Sequence, residues 1–261
     1  MRLRWKKIRR FWRRQHTYFL TDRYFYKLLI GPSARRKRNA ELSAQSQIPR
    51  RWPWLDASIV IHEAVLNLPW LIVLRAPLVN GRGPTEQEAM GLAETFLRSD
   101  RSSYETLTWE DALPPSFLFI IWPMLPQNVR FWITETLGSM YLPATGCHGD
   151  FATGNLIVLG DGTIAVIDWE MYREQGSFVE DICRFLATSV RTTTRPGDIE
   201  DLFRTGVFQR VTDRLQLTEL QMVALYIVSQ ASCELGWRPP RRIAKSLVRR
   251  VEIAERMCKE M

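Results

Sequence analysis

The sequence has few cysteines, and their spacing does not pair them. The four cysteines stand at positions 147, 183, 233 and 258 and include no Cys-x-x-Cys pair. Disulfide frameworks and zinc sites both depend on closer or repeated spacing. The cysteines therefore predict reduced thiols in a cytoplasmic protein.

Long uninterrupted hydrophobic runs are also missing. The most apolar windows, residues 58–79 and 116–126, are interrupted by prolines, and the first also contains charged residues. A helix that spans a bilayer needs about 20 mostly apolar residues. The basic N-terminus is not followed by the apolar core of a signal peptide. We expect a soluble protein or one that lies on a membrane surface.

Acidic residues are fewer than basic residues. The chain has 36 Lys and Arg against 28 Asp and Glu, which gives a net charge of +8 and a pI near 9.6. Such a balance favours an anionic substrate, nucleic acid or an acidic membrane face as partner.

The first 14 residues, MRLRWKKIRRFWRR, combine this basic charge with aromatic side chains. Trp5, Ile8 and Trp12 fall on one face of a helix, which suits an anchor on anionic lipid. A solvated basic arm of the first lobe and a phosphate-contacting arm for nucleic acid are the other two interpretations. The residues alone leave all three open.

The stretch 147–170, CHGDFATGNLIVLGDGTIAVIDWE, contains the chemistry. Asp150 is followed five residues later by Asn155, and a short apolar hairpin pattern around Gly-Asp-Gly leads to Asp168. The hairpin returns Asp168 beside the loop of Asp150. Phosphoryl transfer needs one carboxylate to orient a hydroxyl, and an amide and a carboxylate to hold magnesium against phosphates.

This stretch resembles the aminoglycoside phosphotransferase and choline kinase branch of the protein-kinase-like fold, whose signature is H-G-D-x-x-x-x-N followed by I-D-W/F/P-E. The resemblance implies that Asp150 aligns the acceptor hydroxyl and that Asn155 and Asp168 bind Mg2+, with ATP as donor. It assigns His148 to holding the loop, and it makes Asp181 a brace of that loop.

The same resemblance implies an α+β, two-lobed fold with a small, reduced β-rich N-lobe and a mainly helical C-lobe. Residues 1–80 would form the N-lobe from the basic arm, antiparallel strands and one helix. Residues 81–261 would form the C-lobe, with a catalytic loop at 147–155 and a metal loop at 167–170.

In the N-lobe, apolar and aromatic runs predict strands at 16–21 and 23–30 and a helix at 33–45, capped by Ser33. The resemblance implies that Lys27 grips the donor phosphates and that Glu41 holds Lys27. An ordinary strand lysine and an unrelated helix glutamate are the alternative. The expected glycine-rich loop is absent, because residues 11–16 read FWRRQH; Arg13 and Arg14 would substitute by charge.

Further elements are predicted along the chain: a connector at 48–54, strands at 57–65 and 70–78, a helix from a Thr85–Glu88 capping box to about residue 98, irregular chain at 99–115, a helix at 127–142, hairpin strands at 156–159 and 163–167, and helices at 198–215, 218–235 and 241–259. The resemblance implies that residues 75–79 form the hinge that contacts the adenine of the nucleotide.

The sequence thus predicts an ATP- and Mg2+-dependent phosphotransferase that acts on a hydroxyl of a small molecule or sugar. The charge balance favours an anionic or membrane-linked glycan acceptor, such as lipopolysaccharide core. An antibiotic phosphotransferase and a pseudokinase without turnover are alternatives, while nucleic-acid binding rests on charge and aromatics alone. The predicted location is cytoplasmic, with peripheral contact at the inner membrane face through residues 1–14.

Overall fold

The computed structural model describes residues 16–52, 60, 62–85, 87–88, 91–92, 94–95, 105–138, 140–189, 212–213, 216–235 and 238–260. It divides into two compact units, the first made of residues 1–89 and 154–174, the second of residues 90–153 and 175–261. The predicted anchor at 1–14 and residues 11–15 of the predicted phosphate loop lie outside the described residues.

The first unit contains a four-stranded antiparallel sheet. Its strands are β1 (His16–Leu20), β2 (Tyr24–Ile30), β3 (Glu63–Asn67) and β4 (Leu71–Pro77), in the order β1-β2-β4-β3. Alternate residues of β4 are buried, as the period of a strand requires. The predicted strands at 16–21, 23–30 and 70–78 are confirmed. The predicted strand at 57–65 is wrong at its start, because the described residues 60 and 62 precede β3.

Helix α1 (Ala34–Arg51) follows β2 and is longer than the sequence predicted. The predicted connector at 48–54 is therefore wrong up to residue 51, and Ser33 makes no capping hydrogen bond through its side chain. Pro49 lies in the last turn of the helix and lacks the N–H that would donate to the carbonyl of Gln45. Ile48 and Trp52 are both buried, so packing holds this final turn in place.

A two-stranded hairpin, β7 (Leu156–Val158) and β8 (Ile164–Val166), completes the first unit. The predicted hairpin is confirmed. Arg82 fastens it by two backbone hydrogen bonds, since its N–H donates to the Val158 carbonyl at 3.1 Å and its carbonyl accepts from the Val158 N–H at 2.8 Å. A Cβ atom on Gly81 would lie 2.3 Å from the Val158 oxygen, so this approach requires glycine.

The described helices of the second unit are α2 (Trp109–Ala112), α3 (Gln127–Leu137), α4 (Phe178–Ser189), α5 (Glu219–Glu234) and α6 (Pro240–Glu260). A π-helical turn (Phe117–Ile121) and a 3-10 turn (Trp122–Met124) precede α3. Helix α5 packs against α3, α4 and α6 and is buried on nearly every side. The predicted helices at 218–235 and 241–259 are confirmed, whereas most of 198–215 lies outside the described residues.

Two predictions in the second unit are wrong. The helix predicted at 127–142 ends at Leu137, and β6 (Tyr141–Pro143) then pairs with β5 (Thr106–Thr108), in a region predicted to be irregular. Gly138, which follows the helix, still has right-handed helical dihedral angles, with φ of −56° and ψ of −32°. Tyr141 is exposed and Leu142 buried, which is the alternation of a strand.

The helix predicted from residue 85 begins as expected. Residues 87–88, 91–92 and 94–95 are helical. The Thr85 N–H donates to Glu88 Oε2 at 2.8 Å, and the Glu88 N–H donates to Thr85 Oγ1 at 3.3 Å, so the predicted capping box is confirmed. Within the described part of the chain, no helix combines the length and apolarity that a membrane crossing needs.

Candidate active site

The centre of the site is the ammonium group of Lys27, in the middle of β2. Its Nζ lies 2.5 Å from Glu41 Oε1, 2.5 Å from Asp168 Oδ1 and 2.9 Å from Glu170 Oε2. The Lys27 side chain is 1% exposed. The structure thus brings three of the predicted site residues, Lys27, Glu41 and Asp168, into direct contact within the first unit.

The carboxylates around Lys27 control its protonation. Burial alone would lower the pKa of Lys27, but Asp168, Glu41 and Glu170 outweigh burial and raise the pKa well above its usual value. Three carboxylates face one ammonium group, and the Lys37 Nζ is 3.4 Å from Glu170 Oε1. Burial lowers the pKa of Lys37, against the opposing effect of Glu170. Three carboxylates and two lysine side chains therefore meet in this cluster.

Glu41 connects the strand lysine to the loop of Asp168. Its side chain is fully buried, and its Oε2 accepts a hydrogen bond from the Trp169 N–H at 3.2 Å. The Trp169 ring is also buried, donates from Nε1 to the Val166 carbonyl at 3.0 Å, and packs on Trp52. Helix α1 and the loop after β8 are thereby fixed to one another.

Asp168 has an unusual backbone conformation. Its φ of 68° and ψ of 54° lie in the left-handed region, which few residues other than glycine adopt and which Asp tolerates better than most. The chain turns there from β8 into a 3-10 turn (Trp169–Met171). This turn directs the Asp168 carboxylate towards Lys27 while Trp169 is buried.

His62 is a site residue that sequence reasoning missed. Its ring is buried, and Nδ1 lies 3.7 Å from Glu41 Oε2 without a hydrogen bond from any described residue. Burial lowers the pKa of His62, against the opposing effect of Glu41, so the ring is neutral at pH 7. The sequence offered only a lone histidine in an apolar run.

A cavity of about 340 Å³ lies in the first unit beside this cluster. Lys27, Glu41, His62 and Asp168 lie close together and form its polar end, Asn155 is a further polar lining residue, and the other walls are mainly apolar. The walls include residues 76–79 of the predicted hinge, and an aromatic pair from β1 and β2. An apolar cavity with converging polar groups at one end is typical of a small-molecule site.

Arg75, the first residue of the predicted hinge, lies elsewhere. Its guanidinium forms an ion pair with Glu63 and stacks over the Tyr24 ring, 4.9 Å from its centroid. The cavity is lined by the four residues that follow it.

Asp150 belongs to the second unit, in a loop that Asp181 of α4 braces. The Asp181 carboxylate accepts from the His148 N–H at 2.6 Å and from the Gly149 N–H at 2.9 Å. The Asp150 N–H donates to His148 Nδ1 at 3.2 Å, and the His148 ring is fully buried. These bonds confirm the structural roles predicted for His148 and Asp181. Cys233 of α5 adds a contact to the Gly149 carbonyl at 3.3 Å.

The donor set of the first unit fits magnesium. Among the described residues, no three His, Cys, Asp or Glu side chains form a metal cage. Asn155 and Asp168 instead bring an amide and a carboxylate oxygen to one cavity. Mg2+ usually takes one or two carboxylates and completes its shell with water and substrate phosphates. Two protein ligands are therefore sufficient.

The segment that contains Asp150, Asn155 and Asp168 matches a known protein family. The sequence profile of the phosphotransferase enzyme family matches residues 85–218, more than half of the 261 residues. A search of the curated proteins finds no significant match.

Several solved structures share the fold at low sequence identity. Choline kinase LicA from Streptococcus pneumoniae has a TM-score of 0.58 at 13% identity, over 92% of this chain and 89% of that chain. The streptomycin-ATP-APH(2")-IIa ternary complex has a TM-score of 0.55 at 15% identity, over 90% and 88%. The GDP and kanamycin complex of APH(2")-IIia has a TM-score of 0.51 at 12% identity, over 92% and 90%. The predicted kinase-like α+β fold is confirmed.

Proposed function

Because this chain belongs to the phosphotransferase enzyme family and has a kinase-like fold, we propose that it transfers a phosphoryl group from ATP to a hydroxyl, with magnesium. The observation that carries the proposal is the contact of Lys27 with Glu41 and Asp168 at the polar end of an apolar cavity. That cavity has apolar walls that suit a nucleotide base and charged residues that suit its phosphates.

Lys27 binds the phosphate oxygens of the donor in this proposal, and Glu41 orients the ammonium group. The raised pKa of Lys27 supports this role, because the amine remains charged throughout the physiological range. Phosphate oxygens would take the place of the Asp168 carboxylate as partners of Lys27, which frees that carboxylate for the metal.

Asn155 and Asp168 are the proposed magnesium ligands. When bound, magnesium neutralises the charge of the transferring phosphoryl group. The left-handed backbone of Asp168 and the burial of Trp169 hold this carboxylate in position before any ligand binds. A ligand that is already oriented needs little reorganisation on binding.

Asp150 is the proposed catalytic carboxylate, which accepts a hydrogen bond from the acceptor hydroxyl and aligns it for attack. Support comes from the bonds that fix its loop, through His148 and Asp181. A residue positioned by buried, charge-assisted hydrogen bonds suits a reaction whose catalysis consists mainly of positioning.

For the acceptor, the proposal is a small molecule or sugar that is neutral or anionic. A net charge of +8 disfavours a polycationic antibiotic and favours a phosphate- or carboxylate-bearing glycan, including a membrane-linked sugar such as those of lipopolysaccharide core. The aminoglycoside phosphotransferases among the structural neighbours keep the cationic acceptor as the competing candidate.

Two measurements test the proposal. Binding of Mg-ATP and Mg-GTP is followed by thermal shift, and phosphate transfer is followed on a panel of choline, sugars, glycolipids and aminoglycosides. We expect D168N to lose Mg-ATP binding, and D150N to bind Mg-ATP but to transfer phosphate at least about 100-fold more slowly. D161N, which changes an exposed carboxylate of the hairpin turn, is the matched control.

The outcomes are distinct. Wild-type protein that binds Mg-ATP but phosphorylates no acceptor would support the pseudokinase alternative instead. Transfer confined to aminoglycosides would refute the proposed acceptor class and leave the reaction type standing.

A further inference from the structure

The second unit has an exposed apolar surface within residues 119–131. Phe119 is 81% exposed, Phe131 65%, Met124 45% and Ile120 43%. Phe117 and Ile121 of the same π-helical turn are fully buried. The buried pair fixes the turn, so the exposed side chains are held in a defined orientation rather than folded back onto the protein.

A basic stripe lies on the element that packs against this turn. Helix α6 contacts both the π-helical turn and the 3-10 turn that follows it. Ile243, Leu247 and Val251 are buried along one face of α6. The opposite face carries the exposed side chains of Arg241, Arg242, Lys245, Arg249 and Arg256, at spacings that keep them on one side of a helix.

We propose that the exposed side chains of residues 119–131 and of this α6 stripe together form an apolar-basic surface that binds an anionic phospholipid membrane. Exposed Phe, Ile and Met can insert into the boundary between headgroups and acyl chains, and neighbouring Arg and Lys can pair with lipid phosphates. The stripe contains one exposed acid, Glu252, among its five basic residues.

Charge complementarity distinguishes this occupant from a second copy of the chain. Two copies that met through the surface would bring like-charged stripes together, which is unfavourable. A nucleic acid would use the cations and could stack bases on Phe119 and Phe131, but it would leave Ile120 and Met124 exposed, whereas a lipid layer buries them. Apolar side chains on a fixed turn, with cations on the helix that packs against that turn, match the chemistry of a lipid headgroup layer.

This inference is independent of the proposed catalytic residues, all of which lie outside the surface. It is also separate from the basic segment 1–14, since every side chain in it is a described residue of the second unit. Membrane binding and phosphate transfer can therefore succeed or fail separately.

The test is cosedimentation of the full chain with phosphatidylcholine vesicles, with and without phosphatidylglycerol. We expect binding only to the anionic vesicles, with loss of binding at high salt. F119S/M124S and R241E/K245E should each lower the partition coefficient at least about tenfold, since each surface cation contributes roughly fivefold and each inserted apolar side chain a similar amount.

Matched controls come from the first unit. W70S removes a side chain that is 61% exposed at the turn between β3 and β4, and R35E reverses an exposed charge on α1. Both should bind as wild type does. All four variants change exposed side chains, so their unfolding temperatures should match that of the wild type, and this is measured first.

Several outcomes would overturn the proposal. One is a wild-type protein that does not sediment with anionic vesicles. Another is surface variants that bind as tightly as wild type, because binding would then come from elsewhere in the chain. A dimer that dissociates in F119S/M124S would assign the surface to a second copy. Equal losses in W70S and R35E would show an effect of general charge and hydrophobicity only.

Discussion

Replacement of Lys27 by methionine should destabilise the first unit by an amount set by its three partners. The substitution leaves Glu41, Asp168 and Glu170 facing one another without the ammonium group. Removal of one partner from a buried ion pair costs about 3–5 kcal/mol. Because Asp168 is 23% exposed and Glu170 11% exposed, water screens part of the repulsion. We expect a loss of about 3 kcal/mol, which lowers the unfolding temperature by roughly 6–12 °C.

The loss should depend on pH. In K27M the clustered carboxylates repel one another when they are ionised, and protonation of one of them relieves that repulsion. Acid therefore stabilises the folded variant relative to its stability at neutral pH. The deficit of K27M should therefore be smaller at pH 5 than at pH 7.5. Wild-type Lys27 has a raised pKa itself, so its contribution is complete below about pH 10 and is lost only in stronger alkali.

Urea unfolding monitored by tryptophan fluorescence measures the free energy of unfolding of K27M and wild type, because Trp52 and Trp169 pack together in the same unit as Lys27. K37M is the matched control, since it removes the same kind of charge at a longer, 3.4 Å contact with Glu170; we expect a loss below about 1 kcal/mol. A K27M protein within about 1 kcal/mol of wild type at pH 7.5 would contradict the destabilising role of the three carboxylates, as would a deficit that is equal at both pH values.

D181N and H62Q test the loop of Asp150 and the buried histidine ring. D181N should lower kcat for phosphate transfer about 10- to 100-fold with little change in the KM for ATP, because it weakens the bonds that position Asp150 and leaves the first unit intact. A rise in the KM for ATP as large as the fall in kcat would contradict this expectation. For His62, whose folded-state pKa is lowered, wild-type stability should fall as pH drops below about 6.5, by at most about 1.4 kcal/mol per pH unit. H62Q should lack that part of the slope in urea titrations between pH 7.5 and 5.5, and identical slopes would count against a buried neutral histidine.

Local signals made parts of the fold predictable. The Gly-Asp-Gly turn between two apolar runs defined the hairpin that leads to Asp168, and the Thr85–Glu88 pair marked a helix start. Both depend on residues a few positions apart. The ends of the helices were harder to predict, because burial of Ile48 and Trp52 extends α1 through Pro49, and strand pairing ends α3 at Leu137. Those are effects of tertiary packing.

The candidate site shows the same division. Asp150, Asn155 and Asp168 were recognisable from one continuous motif, and Lys27 and Glu41 were assigned through a family resemblance, because a strand lysine has no local pattern of its own. His62 was missed since a single histidine becomes informative only when its neighbours are known. Glu170 is the last residue of the motif, and the structure adds its ion pairs with Lys27 and Lys37.

The partners of Lys27 also have a consequence for the order of folding during synthesis. Glu41 is 14 residues from Lys27, whereas Asp168 is 141 residues away. A growing chain folds from its N-terminus, so the sheet and α1 can form while the hairpin and its loop are still unmade. Until residues 154–174 emerge, Lys27 has one of its three carboxylates, and Trp52 lacks the ring of Trp169. The first unit therefore begins to fold early in synthesis, but it is completed only when a segment that follows residues 90–153 of the second unit has been translated.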